Sequence, residues 1–381
     1  MFGKGLRLFK LFGFSVEVDA SWLIIAVLVT WSLAVGFFPE LYPDLPTATY
    51  WWMGGIGALG LFASIVVHEF SHSLVARRHG IEMRGIRLFI FGGVAQMDDE
   101  PEDAMGELLM AIAGPIASIA ISLAALGLYV LGEQFNWAVP VMAVLVYLAV
   151  INAVLAAFNM IPAFPLDGGR VLRAILWQIK GNLQWATRVA TYAGTAFAIF
   201  LMIMGILSLF QGQIFGIWWI LLGLFLRWAS EGSYQQVLVR RVLGKEPVES
   251  VMRTEVHTVP PSISIEDLVE DHIYRHHFKM FPVVENGTIL GCVSTQMVKD
   301  VPREEWARHT VGEVMEPCSD DNSIPPDTDA LKALKRMTQD GRSRLLVVED
   351  GRLRGVISLK DVSRLISLKL ELEEQADSTG E

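Results

Sequence analysis

Long apolar stretches alternate with short polar loops through the first 230 residues of the chain. Each stretch approaches the roughly 20 mostly apolar residues that a helix needs to cross a bilayer. Between the second and third stretches, RGIRLFIFGGVAQM at 84–97 is too short to span as a helix, and we expect a short membrane-associated β segment there. The pattern predicts about six membrane-spanning helices, at residues 20–38, 52–76, 108–131, 138–161, 189–210 and 213–229.

The pattern changes after about residue 243, where charged residues separate short apolar segments. FPVVENGTILGCVS at 281–294 aligns with LLVVEDGRLRGVIS at 345–358, an offset of 64 residues. Each copy is typical of a strand, a two-residue turn (Asn-Gly or Asp-Gly) and a second strand. We therefore expect a polytopic α-helical membrane domain followed by two soluble α/β repeats and an acidic tail, at residues 1–243, 244–310, 311–368 and 369–381.

Composition agrees with this division. The chain has 381 residues, of which 52% are hydrophobic and 19% charged, whereas soluble domains are about 45–50% apolar and about 25% charged. A net charge of −10 argues against nucleic-acid binding, which requires a basic face. The two cysteines, Cys292 and Cys318, are too few for a disulfide framework or a cysteine-rich zinc module.

Lys and Arg residues follow every second predicted span. The loops at 39–50, 132–137 and 210–216 contain neither residue. Because basic loops stay on the cytoplasmic side of a membrane, we expect a multi-pass cell-membrane protein with both termini and the soluble repeats in the cytoplasm. The basic residues occur at 4–10, 77–87, 170–188 and 240–245.

The second predicted span contains the sequence HEFSH. His68 and His72 are four residues apart and so lie on one helix face, where two imidazoles can bind one zinc ion. Glu69 is placed to take a proton from water that zinc has made more acidic. Ionisable groups within a span are costly and usually functional. Catalytic zinc commonly has three protein ligands, so one more ligand must come from elsewhere.

FNMIPAFPLDGG, at the end of the fourth predicted span, contains the candidate third ligand, Asp167. Pro162 and Pro165 disrupt a regular helix, and irregular backbone at membrane depth is expected only beside a cavity. Both this segment and HEFSH reach the cytoplasmic half of the membrane at 1.5 Å of rise per residue. A site of two His and one Asp with one zinc ion per chain is therefore possible. In the alternative, Asp167 caps the helix that starts near Gly168.

HEFSH and NMIPAFPLDGG together resemble the site-2 protease family of intramembrane zinc metalloproteases. The resemblance covers about residues 1–230. It implies that His68, His72 and Asp167 bind zinc and that Glu69 is the general base or acid.

The same resemblance extends to the surroundings of the site. Asn159 and Pro162 match an N-x-x-P element that lines the active-site region. The segment with Gly92 and Gly93 resembles a membrane-associated β segment that helps to bind an unwound substrate, which would be strand addition at an exposed edge. Ser118 stands where many relatives have Asn, which leaves a polar role at this position open.

The soluble repeats resemble a pair of cystathionine-β-synthase (CBS) domains, which in several families bind adenine nucleotides between the repeats. Ser358 and Asp361 lie where ribose-binding residues often occur, whereas Met297 replaces that Asp in the first copy. The resemblance implies one adenine-nucleotide site and a homodimer formed through the CBS domains. In the alternative, the CBS pair only dimerises or docks on the membrane core, since a fold does not fix a function.

Together these features predict an intramembrane zinc endopeptidase. It would cleave a membrane-anchored protein in or near a transmembrane segment, as in regulated intramembrane proteolysis, under control of a nucleotide at the CBS pair. The alternative is a CBS-regulated metal-ion transporter, which would place polar ligands along several spans. Here the ionisable groups instead occur together in one HExxH sequence and one Asp.

Overall fold

The chain divides into two compact units between Gln235 and Gln236. Some residues of the predicted basic loops, β segment and acidic tail lie outside the described part of the chain, namely Lys4, Phe91, Lys245 and the last three residues. The computed structural model describes residues 6–11, 13–81, 83–90, 92–97, 101, 103–244 and 246–378.

Long helices dominate the first unit. A π-helical turn over Leu33–Phe37 joins the first two helices into one apolar segment. The helices are α1 (Ala20–Ser32), α2 (Phe38–Leu41), α3 (Thr47–Arg78), α4 (Ala104–Gln134), α5 (Val139–Asn159), α6 (Asp167–Lys180), α7 (Leu183–Phe210) and α8 (Gly216–Leu243).

Five helical segments of the described chain are long and apolar enough to cross a membrane. They are Ala20–Leu41, Thr47–Arg78, Ala104–Gln134, Val139–Asn159 and Leu183–Phe210. The predicted sixth span falls on α8, which is not among them. Arg227 and Glu231 make its C-terminal half less apolar. A multi-pass membrane protein is therefore confirmed, and the sixth span stays a prediction.

The first unit also contains a four-stranded sheet, in the order β1-β2-β3-β4. Strands β3 and β4 form an antiparallel hairpin where a β segment was predicted, and β2 runs parallel to β3. The two N-terminal strands were not predicted. Membrane association of the hairpin stays a prediction. The strands are β1 (Leu6–Leu11), β2 (Phe14–Val18), β3 (Met83–Phe89) and β4 (Gly92–Met97).

The loop between α5 and α6 folds back on the first turn of α6. Gly168 allows this close approach, because a Cβ there would collide with the backbone carbonyl oxygens of Met160 and Ile161. Gly169 meets the backbone of Phe164 in the same way. A side chain at either position would push the loop away, so the two glycines fix where α6 begins.

The second unit contains two three-stranded sheets, β5-β6-β7 and β10-β9-β8. The predicted hairpins are confirmed as β5–β6 and β9–β10, and both turn residues have positive φ: 51° and 81° at Asn286-Gly287, and 51° and 73° at Asp350-Gly351. Such angles match two-residue hairpin turns. The strands are β5 (Met280–Glu285), β6 (Thr288–Ser294), β7 (Glu316–Pro317), β8 (Ser323–Ile324), β9 (Arg344–Glu349) and β10 (Arg352–Ser358).

Helices of 3 to 20 residues flank these sheets, and π-helical residues Leu268–Ile273 join the first two helices. Cys292 packs with Ile289 and Leu346 between the two hairpins. Burial raises the pKa of the Cys292 thiol to about 11, so the thiol stays protonated and unreactive. The helices are α9 (Ile265–Asp267), α10 (Tyr274–His276), α11 (Thr295–Lys299), α12 (Val311–Val314), α13 (Ala330–Gln339) and α14 (Leu359–Ser378).

Candidate metal centre

Three of the predicted site residues meet inside the first unit. His68 and His72 lie one turn apart on α3, and Asp167 is the first residue of α6. Oδ2 of Asp167 lies 3.0 Å from Nε2 of His68 and 3.2 Å from Nε2 of His72, and the two nitrogens are 3.2 Å apart. We call these three atoms the ligand triangle. They are the groups that can hold one metal ion.

Helix α4 holds the other ring nitrogen of each histidine. Nδ1 of His72 donates to the carbonyl oxygen of Met110 at 2.6 Å, and Nδ1 of His68 lies 2.9 Å from Oγ of the buried Ser118. Because a carbonyl oxygen only accepts, a neutral His72 carries its proton on Nδ1 and keeps the Nε2 lone pair. Metal-binding histidines are typically oriented in this way. Ser118 thus makes a polar contact with His68. No sequence pattern predicted that the Met110 carbonyl orients His72.

The ligand triangle fits zinc. Two ligands of a tetrahedral zinc ion stand about 3.3 Å apart when the bonds are about 2.05 Å long. The observed separations of 3.0–3.2 Å differ from this value by only a few tenths of an ångström. Two neutral imidazoles and one carboxylate are also a donor set that zinc prefers, and three protein ligands leave a fourth position open.

Gly114 of α4 gives the two imidazoles room. A Cβ on this residue would lie 2.6 Å from Nε2 of His68 and closer still to Nε2 of His72. Real Cβ contacts under 3.0 Å are essentially never seen. A glycine therefore lets the α4 backbone pass directly beside the ligand triangle. No local sequence pattern shows that Gly114, which Pro115 follows, lies against the histidines.

A cavity of about 460 Å³ lies beside the ligand triangle. Glu69 and Asn159 line it, together with apolar side chains of α3, α5 and α8. Gly93 of β4 also lines the cavity, and a Cβ there would lie 2.7 Å from Cγ of Glu69. The edge strand therefore passes directly against the predicted base. Pro162 is exposed and does not line the cavity, so it shapes the loop without reaching the site.

Arg170 is a basic side chain in the wall of this mostly apolar cavity. It lies one turn after Asp167 on α6. Its side chain makes no hydrogen bond or ion pair within the part of the chain that the structure describes. In the sequence, Arg170 was grouped with the basic residues that set topology, because the sequence does not show where its side chain points.

The alternative in which Asp167 caps a helix is wrong. Leu166 occupies the N-cap position of α6 and makes no side-chain cap bond, and Asp167 is already helical. The Asp167 carboxylate points to His68 and His72 instead.

The two predicted nucleotide-site residues line a cavity of about 290 Å³ within the second unit. Oγ of Ser358 donates to Oδ2 of Asp361, and Nε of Arg253 donates to Oδ1 of Asp361 at 2.7 Å. Both carboxylate oxygens therefore have a partner. The wall also contains cationic and aromatic side chains, namely Arg344, Lys360, His257 and Phe278.

Two family models match the chain. The model of peptidase family M50 matches residues 56–138 and 132–204, and the CBS-domain model matches residues 248–302 and 311–368. The second model agrees with the internal repeat of the soluble part.

The chain is also similar to curated proteins and to a solved structure. It is 32% identical over 362 residues to Rip3 of Mycobacterium tuberculosis, named as a zinc metalloprotease, covering 94% of this chain and 92% of Rip3. It is 32% identical over 370 residues to the zinc metalloprotease MJ0392 of Methanocaldococcus jannaschii, covering 97% and 98%. The structure of a site-2 protease from Methanocaldococcus jannaschii is 32% identical, covers 60% of this chain and 94% of that chain, and has a TM-score of 0.42.

Proposed function

Since the chain belongs to the site-2 protease family, peptidase family M50, and is a zinc metalloprotease, we propose that it cleaves a peptide bond in or near a transmembrane segment of another membrane protein. The observation that carries the proposal is the ligand triangle beside an apolar cavity that Glu69 lines. The relatives are named as proteases, which favours cleavage over the transporter alternative.

The proposed metal ligands are His68, His72 and Asp167, with one zinc ion per chain. Zinc, when bound, supplies Lewis-acid polarisation of the scissile carbonyl and makes water more acidic. The Glu69 carboxylate then accepts a proton from the attacking water and delivers it to the amide nitrogen as the C–N bond breaks. The products are a new carboxylate and a new amine, which balances the hydrolysis.

Arg170 is proposed to bind a carbonyl oxygen of the substrate. A guanidinium has five donors and no acceptor, so in an apolar cavity it needs an acceptor from outside its own helix. The backbone of an unwound substrate supplies such acceptors, because its carbonyls have lost their helical partners. The position of Arg170 in the cavity wall supports this role.

The substrate segment is proposed to add to β4. This strand lies at the edge of the sheet and pairs with β3 on its other side. Edge strands accept an extended peptide through main-chain hydrogen bonds. Contact between Gly93 and Glu69 supports the idea that a peptide on this edge lies beside the base. Gly92, the first residue of β4, would bind the substrate through its backbone.

N-terminal labelling and mass spectrometry of cells that produce either the wild-type protein or Glu69→Gln test the proposed cleavage. We expect new protein termini within membrane segments in wild-type cells, reduced about 10³-fold in the variant, as for loss of a general base. The matched control, Glu231→Gln, changes an exposed glutamate of α8 and should leave these termini unchanged. Identical termini in wild-type and Glu69→Gln cells, with zinc still bound, would contradict the proposal.

We further propose that the CBS pair binds one adenine nucleotide and thereby regulates cleavage. Ser358 and Asp361 would bind the ribose, and the cationic wall suits phosphates. Titration of the full chain with AMP and ATP tests this proposal, with Asp361→Ala as the variant and the exposed Asp340→Ala as control. Binding that survives in Asp361→Ala, or cleavage that ignores the nucleotide, would count against it.

Orientation and assembly complete the proposal. The loops without Lys or Arg support an arrangement with both termini and the CBS repeats in the cytoplasm. Inside-out vesicles expose the cytoplasmic face of the membrane. A protease added to such vesicles should therefore digest the CBS repeats. A homodimer through the CBS domains is also proposed, and light scattering in detergent should then give twice the mass of one chain.

A further inference from the structure

Helix α4 contributes no side chain to the ligand triangle. It nevertheless contacts both histidines and α6, the helix that contains Asp167. Its Ser118 holds His68 and its Met110 carbonyl holds His72. Its Glu107 holds α6, the helix of the third ligand, through Arg173. The three contacts come from residues 107, 110 and 118. Gly114 lies between them, and steps of three or four residues keep all four positions on one helix face.

The contact between Glu107 and Arg173 is a buried ion pair within the membrane-embedded unit. Glu107 is 0% exposed and Arg173 is 4% exposed. Nε of Arg173 donates to Oε1 of Glu107 at 2.6 Å, and Nη2 contacts the same oxygen. The guanidinium also lies 5.0 Å from the ring centroid of Phe164, in the loop that precedes α6. The pair therefore joins α4 to both the loop and the helix around Asp167.

A buried ion pair is weak support for stability. Desolvation of two charges offsets their attraction, so well-packed apolar residues in their place are often neutral or stabilising. The pair is therefore better explained by what it positions, namely α6, the helix that carries Asp167.

The pair constrains the third ligand directly. Asp167 and Arg173 lie six residues apart on α6, about 9 Å along the helix axis at 1.5 Å per residue. Because two nitrogens of the planar guanidinium contact one carboxylate oxygen of α4, the pair limits movement of α6 against α4. Because α4 also holds both histidines, a fixed distance between α4 and α6 becomes a fixed distance between Asp167 and the two imidazoles.

We propose that Glu107 and Arg173 are positioning residues of the metal centre. They set the place of Asp167 relative to His68 and His72, and without them the triangle is loose although the helices still pack. This inference rests on the proposed zinc site.

The test is the zinc dissociation constant of the purified full chain in detergent, measured by competition with a chelator. The double variant Glu107→Leu with Arg173→Met replaces the pair by apolar side chains of similar size. We expect it to remain folded, with a melting temperature equal to or above that of the wild type, while zinc binding weakens about tenfold, as for loss of an outer partner of a metal ligand. A purely structural pair would change affinity and melting temperature together.

The matched control is the pair Glu17 and Arg87, which joins β2 to β3 at 2.8 Å in the same unit. Replacement of both by Leu and Met should leave zinc affinity within twofold of the wild type. A folded Glu107→Leu/Arg173→Met variant with wild-type affinity overturns the inference. If that variant does not fold, Arg173→Lys, which keeps the charge but loses the planar fork, is measured instead, and wild-type affinity in it overturns the inference equally.

Failure of the proposed zinc site itself is distinguishable. His68→Ala removes a proposed ligand and should lose zinc. If the wild type and His68→Ala bind zinc equally, the site is wrong. If His68→Ala loses zinc while the double variant binds zinc as tightly as the wild type, the site is supported and the positioning role is wrong.

Discussion

The two units of the chain place polar and apolar side chains in opposite ways. In the first unit the buried side chains include His68, His72, Glu107 and Arg173, while many large apolar side chains lie on its surface. In the second unit, within the described residues, Asn322 is the one buried polar side chain. Its two main core clusters consist of Leu, Ile, Val, Ala, Met and Phe side chains.

This difference follows from the surroundings of each unit. Lipid tails are as apolar as leucine, so burial of apolar side chains drives helix association little in a membrane, and close packing and polar contacts decide it instead. In water, burial of apolar area is the main driving force. The first unit should therefore be sensitive to changes of a few atoms around its polar groups, and the second to loss of core volume.

The largest expected effect on the first unit comes from Gly114→Ala. One methyl group would enter the space of both imidazole Nε2 atoms, so we expect zinc to be lost although alanine favours a helix over glycine. Zinc content by mass spectrometry measures it. Gly127→Ala, on the same helix with nothing within 4 Å, is the control and should keep zinc. Full zinc in Gly114→Ala would show that the α4 backbone is not this close to the site.

In the second unit, Leu345→Ala should act through volume alone. Leu345 is fully buried in the core around β9, and such truncations cost about 3 kcal/mol of unfolding free energy. Hydrogen exchange of β9 amides should become about 100-fold faster, while exchange of α3 and zinc binding do not change. Altered zinc binding would contradict the separation between the units.

Ser118→Ala tests the partner of His68. Loss of the hydroxyl frees the imidazole to rotate, and we expect zinc affinity to fall about tenfold. Ser122→Ala is the matched control one turn along α4, since its hydroxyl donates to the Ala149 carbonyl and not to a ligand. Equal zinc affinities in the two variants would mean that the Ser118 contact does not orient His68.

Glu316→Gln should have the smallest effect. Hydrogen bonds from the Arg342 guanidinium, at 2.6 and 2.9 Å, lower the pKa of the Glu316 carboxyl. Because the folded-state pKa is lowered, the pair contributes stability above the ordinary carboxyl pKa of about 4.3 and loses it as the pH falls through the folded value. Both groups are partly exposed, so we expect less than about 1 kcal/mol at pH 7.

Urea unfolding of wild type and Glu316→Gln at pH 7 and at low pH measures this contribution. The difference between them should vanish in acid. A difference that grows as the pH falls would contradict the assigned ion pair.

Local patterns predicted the parts of the protein that depend on nearby residues. Helical spacing predicted that His68 and His72 share a face, and the Asn-Gly and Asp-Gly turns predicted both hairpins. Both predictions rest on helix or strand geometry, which the sequence determines over a few residues. The approach of Asp167 to the two histidines, 95 and 99 residues away, is not local. Depth along two spans made it possible, and the resemblance to the site-2 protease family implied it.

Contacts across long sequence separations could not be predicted in this way. Ser118 lies 50 residues from His68, and Arg173 lies 66 residues from Glu107. Neither pair follows a spacing rule, since packing of α4 against α3 and α6 creates both. The parallel pairing of β2 with β3 was missed for the same reason.

Zinc content of the purified chain, compared between wild type and Asp167→Ala, tests whether α3 and α6 share one metal centre. We expect about one zinc per wild-type chain, as for a site of three protein ligands, and its loss in Asp167→Ala. Asp340→Ala, which changes an exposed carboxylate of the second unit, should retain zinc. Undiminished zinc in Asp167→Ala would contradict the claim that α3 and α6 share one metal centre.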